Sequence, residues 1–237
     1  GDDAIHIASG PCVADPSTFS DALAVLERYH LDAPPAIARL LRAGQAGTVA
    51  ETPKPGSRCF SRTENIIIAN GHQSLVAAEN YFQALGFNTL ILGDTVTGEA
   101  REIAKSYAAL AREIHTYPRS LKTPVALLSG GETTVTIRGN GRGGRNAEFL
   151  LSLFVELAGM DNVYALACDT DGLDGTENNA GAIFSPDSFT RAKQLGLNPA
   201  AFLSNNDSYT FFQRLNDLVM TGPTRTNVND YRAILIL

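Results

Sequence analysis

The chain has 237 residues, 44% hydrophobic and 19% charged, with a formal net charge of −6. These values fit one or two globular domains and exclude a disordered or fibrous chain. The negative charge, with no lysine-rich run, argues against duplex DNA or an acidic membrane as the main partner, and the longest apolar runs fall far short of the ~18 residues a membrane span needs.

The opening Gly1-Asp2-Asp3 is acidic, whereas a secretory signal needs a positive start and an apolar stretch. Cys12, Cys59 and Cys168 are far apart and odd in number, so they offer neither a disulfide framework nor a CxxC metal site. A reducing, cytoplasmic setting is expected. Gly1 is not a start methionine and residues 4–8 read as a strand in progress, so the chain reads as the later part of a longer protein.

Along the chain, Ser17 and Thr18 can cap a helix carrying Phe19, Leu23 and Leu26. Residues 34–55 are proline-rich and read as a loop with one helical piece. A strand is predicted at 65–69, a helix at 73–85 stopped by Gly86, a strand at 89–92 and a helix at 98–115. Residues 117–123 read as a linker. Beyond it, strands are expected at 124–128, 163–168, 218–220 and 231–237, with a half-exposed strand at 133–138. Helices are expected at 146–157, 186–195 and 208–215. Such alternation predicts an α/β protein of two units, 1–118 and 119–237, each with a mainly parallel, Rossmann-like sheet flanked by helices.

The densest chemical signal runs from Ser129 to Glu148. Four glycines (Gly139, Gly141, Gly143, Gly144) and three arginines (Arg138, Arg142, Arg145) fall within 138–145, just before a helix. Glycines let backbone N–H groups approach an anion, the helix N-terminus adds partial positive charge, and arginine forks match carboxylate or phosphate oxygens. Three arginines with no acid between them would repel one another there without an anion. The bland reading is a surface turn that is glycine-rich for its backbone freedom.

Gly139, Gly141 and Gly144 also satisfy GxGxxG, with Asp169 25 residues beyond. Yet the preceding strand alternates polar and apolar residues, unlike a first Rossmann strand buried on both faces, and Arg142 and Arg145 crowd the loop. No P-loop is present, because the chain has no Gly-Lys pair.

Asp169 and Asp171 follow an apolar strand, where α/β sheets place ligands, and suit Mg²⁺ held partly by phosphate; an Asx-turn pair is the alternative. The stretch 221–227, with Thr224 and Arg225, is a second anion loop or a polar turn. Residues 205–208 read as a helix N-cap. Ser9 and Gly10 follow the first predicted strand and serve a ligand or turn the chain. His6, His30, His72 and His115 have no metal spacing, though His72 stands at a strand-to-helix junction.

Four segments taken in order, Gly130 to Val135, Gly139 to Asn146, Asp169 to Gly172 and Thr221 to Thr224, resemble the MOFRL domain. This is the C-terminal domain of the type of glycerate 2-kinase often labelled hydroxypyruvate reductase. Gly1 to Asp3 and Ile7 to Pro11 are similar to the later half of the family's preceding domain. Ala147 departs from the pattern, since the family usually has glutamine there.

The resemblance implies transfer of the ATP γ-phosphoryl group to the 2-hydroxyl of D-glycerate, with Mg²⁺, in a cleft between two α/β domains. It implies a catalytic Arg145 and a catalytic aspartate at Asp2 or Asp3. With the loops read above, Glu132, Thr133, Gly139, Gly141, Arg142, Gly143, Gly144, Asn146, Ser9, Gly10, Thr224 and Arg225 are expected around substrate or phosphate, and Asp169 and Asp171 on the metal. It also implies an essential lysine in a segment preceding residue 1, and hence an incomplete enzyme. NAD(P)H-dependent hydroxypyruvate reduction and a non-catalytic anion-binding module are the alternatives. The expected partner is a small molecule, glycerate, with no nucleic acid or membrane, and a homodimer is a possible assembly.

Overall fold

The computed structural model describes residues 3–117 and 121–237. They form two compact units, one ending at Ile68 and the other spanning Ala69–Leu237.

In the first unit, Thr18 caps α1 (Phe19–Arg28). Its hydroxyl accepts the Asp21 N–H at 3.2 Å while the Asp21 carboxylate accepts the Thr18 N–H at 2.8 Å. Helix α2 (Pro35–Gln45) opens on proline, whose missing N–H costs nothing at that position. The strand expected at 4–8 is instead a turn followed by a 3₁₀ segment, Ile7–Ser9. Asp3 folds the chain back, its carboxylate accepting the Ile5 N–H and its carbonyl the His6 N–H. Residues 65–69 are also not a strand: Ile66 and Ile68 are exposed, and no strand is present among the described residues of this unit to pair with them.

The second unit holds α3 (Gly71–Ala84), β1 (Asn88–Glu99), α4 (Ala100–Thr116), β2 (Val125–Thr134), α5 (Arg145–Leu157), β3 (Val163–Asp169) and β4 (Gly181–Phe184). After these come α6 (Pro186–Gln194), α7 (Pro199–Ser204), α8 (Ser208–Leu215), β5 (Leu218–Val219) and β6 (Asp230–Ile236). The strands form one sheet in the order β1-β2-β6-β3-β4-β5. The α/β class with flanking helices is as expected, but the pairing needs correction. Only β1 and β2 pair in parallel; β6 inserts antiparallel between β2 and β3, and β4 and β5 continue antiparallel. The expectation of two Rossmann-like sheets gives way to a single mixed one. The expected break after residue 118 lies outside the described residues, and β1 before it is hydrogen-bonded to β2 after it.

Strand alternation sorts the core onto two faces. Val125, Leu127, Ala165, Ala167, Ile234 and Ile236 pack with α4 and α5, while Ala126, Leu128 and Ala233 pack with Leu75 of α3. Helix α5 is buried almost all round, through Phe149, Leu150, Leu151, Leu153 and Phe154. Its N-terminus is thereby held still at the sheet edge.

Candidate active site at the N-terminus of α5

Strands β2 and β3 are both antiparallel to β6, and β1 is parallel to β2, so β1, β2 and β3 run the same way. Their C-terminal ends and the start of β6 share one edge, with Gly131 and Asp169 both paired to Asp230. Ligands of α/β sheets bind at this kind of edge. The glycine-rich loop leaves β2 here and enters α5 at Arg145.

Arg145 is the first residue of α5 and one quarter exposed. Its Nη2 lies 2.7 Å from Asp169 Oδ2, its Nε 2.9 Å from Asp230 Oδ1, and its Nη1 3.4 Å from the exposed Glu132. Burial works against its charge, but Asp230, then Asp169 and Glu132, more than offset that, and its pKa is raised. Asp230 also accepts from Asn146 Nδ2 at 2.8 Å and from Arg232 Nη2 at 2.5 Å. Arg232 is fully buried, donates to the Gly130 carbonyl and to Thr133 Oγ1, and lies over the Phe149 ring. Burial lowers its pKa, with Asp230 opposing.

The anion expected at the helix N-terminus turns out to be a side chain of the protein. Asp174 Oδ1 accepts the Asn146 N–H at 2.9 Å and Oδ2 accepts the Ala147 N–H at 2.8 Å. Burial pushes its carboxyl up to about 6 against the pull of those N–H groups. Asn146 and Thr133, expected at substrate, are both buried and serve this internal network. Ala147, the departure from the family pattern, is fully buried with its N–H on Asp174.

The N–H groups from Arg138 to Arg142 are likewise bound from within. Asn206 Oδ1 accepts the N–H groups of Arg138 and Gly139, Asn205 those of Asn140 and Gly141, and Asp207 Oδ1 that of Arg142. A side chain at Gly139 or Gly141 would collide with Asn205 or Asp207, so these glycines serve close packing and not anion contact. Arg142 makes a bidentate pair with Glu177 and lies 4.5 Å over the Tyr209 ring. The three arginines therefore need no external anion to coexist, because acids distant in sequence neutralise two of them. Residues 205–207, expected only as a cap, are the loop's anchor. Asn206 is in turn held by Glu148, which also binds Arg101.

Asp169 and Asp171 do not fit a Mg²⁺ site as arranged. Asp169 faces the Arg145 guanidinium and accepts the Asp171 N–H, while Asp171 accepts from Leu173 N and Asn227 Nδ2. A guanidinium 2.7 Å from a carboxylate repels a divalent ion, and no three carboxylate, histidine or cysteine groups cluster as ligands among the described residues. Burial pushes the Asp169 carboxyl up to about 6, with the Asp171 N–H and Arg145 opposing. The 221–227 loop is tied to the same turn: the Thr224 N–H donates to the Asp171 carbonyl and its hydroxyl to the Thr170 carbonyl at 2.5 Å. Thr224 is thus committed to a structural turn, and Arg225 sits in the left-handed region at φ 62°.

Asp3, Ser9 and Gly10 belong to the first unit, where Asp3 closes a turn and Ser9 has φ 62°. Asp2 lies outside the described residues. His72 stands in the first turn of α3.

What remains open is a pocket of about 420 Å³ lined by Thr133, Gly143, Gly144, Arg145, Thr176 and Glu177 among others. It has room for a small organic acid and a phosphoryl group. Its charged lining residues are Arg142, Arg145 and Glu177, of which Arg145 is held by two buried carboxylates.

The sequence profile of the MOFRL family matches residues 125–230, and that of a domain of unknown function (DUF4147) matches residues 1–42. A protein of Agrobacterium vitis carrying the provisional name hydroxypyruvate reductase is 47% identical over the whole chain, which covers 52% of that protein. Glycerate kinase of Macaca fascicularis is 33% identical over the whole chain, which covers 69% of it. The crystal structure of glycerate kinase from Thermotoga maritima superposes with a TM-score of 0.84 at 38% identity, over all of this chain and 55% of that one. The chain spans about half the length of several relatives it matches.

Proposed function

The chain belongs to the glycerate kinase family, and from that premise we propose that it forms part of an enzyme phosphorylating D-glycerate at the 2-hydroxyl with ATP. The observation that carries the reading is Arg145, fixed by Asp169 and Asp230, with Nη1 near the exposed Glu132, while lining the pocket beside the glycine-rich loop.

Phosphoryl transfer asks for positioning and charge neutralisation more than covalent chemistry. The 2-hydroxyl oxygen attacks the γ-phosphorus, the bond to the β-bridging oxygen breaks, and ADP leaves. Arg145 sits to neutralise charge on the transferring oxygens. Magnesium enters as part of the nucleotide substrate. The resemblance assigns a catalytic aspartate to Asp2 or Asp3.

A nicotinamide-dependent reductase has less support, because the N–H groups of Gly139, Asn140, Gly141 and Arg142, within the GxGxxG stretch, are bound to Asn205, Asn206 and Asp207. The test uses the protein in its full natural length. ADP release on mixing with D-glycerate and Mg-ATP supports the kinase. NADH oxidation by hydroxypyruvate, without ADP release, overturns it.

A further inference from the structure

We propose that Asp230, which no sequence motif marked, is the positioning residue that aims Arg145; the inference rests on the kinase reading above. Asp230 opens β6 between the ends of β2 and β3, and its side chain is fully buried. One oxygen, Oδ1, receives both Arg145 Nε at 2.9 Å and Asn146 Nδ2 at 2.8 Å, so it ties the arginine head to the first turn of its own helix. The other oxygen is held by Arg232 at 2.5 Å.

Arg232 is itself fully buried and packed over Phe149, which lies one turn along α5 from Arg145. The chain Arg232–Asp230–Arg145 thus connects the guanidinium to the sheet and to α5 at once. Asp169 takes Nη2 from a neighbouring strand. With Nε and Nη2 both engaged, the guanidinium plane is set, and Nη1 faces the exposed Glu132 at 3.4 Å. Arginine's planar fork makes this orientation meaningful, since a rotated guanidinium would present a different edge to the transferring oxygens. A purely structural Asp230 would only neutralise Arg232.

The two roles separate in a double-mutant cycle assayed with D-glycerate and Mg-ATP on the full natural-length protein. If Asp230 aims Arg145, Asp230→Asn loses at least tenfold in kcat while both KM values change less than threefold. The double variant with Arg145→Lys is then no slower than Arg145→Lys alone, because the aimed group is already gone. Losses that multiply, or a wild-type kcat in Asp230→Asn, overturn the proposal.

A second measurement stands apart from activity. In the wild-type protein, ¹⁵N NMR should find the Arg145 Nε–H exchanging at least tenfold more slowly than that of the exposed Arg138. Equal exchange overturns the proposal even if Asp230→Asn fails to fold. Slow exchange without any glycerate phosphorylation upholds the anchoring and removes the kinase reading instead.

Discussion

The carboxylate of Asp174 lies 2.8 Å from the backbone nitrogen of Ala147 and 2.9 Å from that of Asn146, capping α5 from a loop 27 residues further along the chain. The cap is buried, so removing it leaves donors without water to replace it. Asp174→Ala should cost about 2 kcal/mol, lowering Tm by about 4–8 °C, and Asp174→Asn less, because an acceptor oxygen remains and the desolvated charge is gone. Asp171→Asn, on the neighbouring turn, should stay within about 0.5 kcal/mol. Thermal melting of the three variants checks the order.

Arg145→Lys keeps the charge but loses the fork that Asp169 and Asp230 hold. At least a tenfold fall in kcat/KM is expected, since ~1.4 kcal/mol corresponds to tenfold. Arg138 is exposed and joins the structure through its backbone N–H to Asn206, so Arg138→Lys should leave the rate near wild type. Steady-state kinetics on both variants settles which arginine faces the substrate; a crippled Arg138→Lys beside a normal Arg145→Lys would reverse the assignment.

Asp169 links pH to both stability and activity. Its folded carboxyl is pushed up to about 6 from an ordinary 3.8, so folding takes up a proton between those values. The stability this contributes is complete below about pH 3.8 and is lost as pH rises through about 6. Activity should run the opposite way, because only the ionised carboxylate holds Arg145, so kcat/KM falls as pH drops through about 6. Asp174, also pushed up to about 6 by burial, titrates in the same window, so Asp169→Asn should remove only part of the stability slope while flattening the activity profile, which melting and kinetics across pH 4–8 would reveal.

Asn206 holds the glycine-rich loop by accepting from Arg138 N at 2.7 Å and Gly139 N at 3.1 Å while donating to Glu148 at 2.8 Å. Asn206→Ala orphans these groups at an expected cost of about 2–3 kcal/mol. The loop should also become a site of limited proteolysis near Arg138 or Arg142, with the rest of the unit intact. A loop as resistant as wild type would mean that Asn205 and Asp207 suffice.

Local signals in the chain located most of the helices. Thr18 caps α1 through the reciprocal bond with Asp21, Gly86 follows α3 with φ 87°, and the apolar run Val163 to Cys168 lies within β3. These features depend on neighbours a few residues away. Short elements escaped for the same reason: β4 has four residues and α7 six, too few for a period to show. Sequence features also pointed to the neighbourhood of the site, because glycines and arginines before a helix are a compact pattern.

Amino-acid order alone thus determined the α/β class, the entry of α5 at a glycine-arginine loop, and the resemblance to glycerate kinases carried by four ordered motifs. Tertiary structure decided strand direction, since β6 returns from the C-terminus to lie antiparallel between β2 and β3, a pairing with no local signature. It also decided which charges meet. Asp230, Asp174, Glu177 and Asn206 reach the loop and its helix from 28 to 85 residues away, and they place carboxylates and amides of the protein where an external anion was expected. Electrostatic partnership depends on distance in space, and distance in space is set by the sheet.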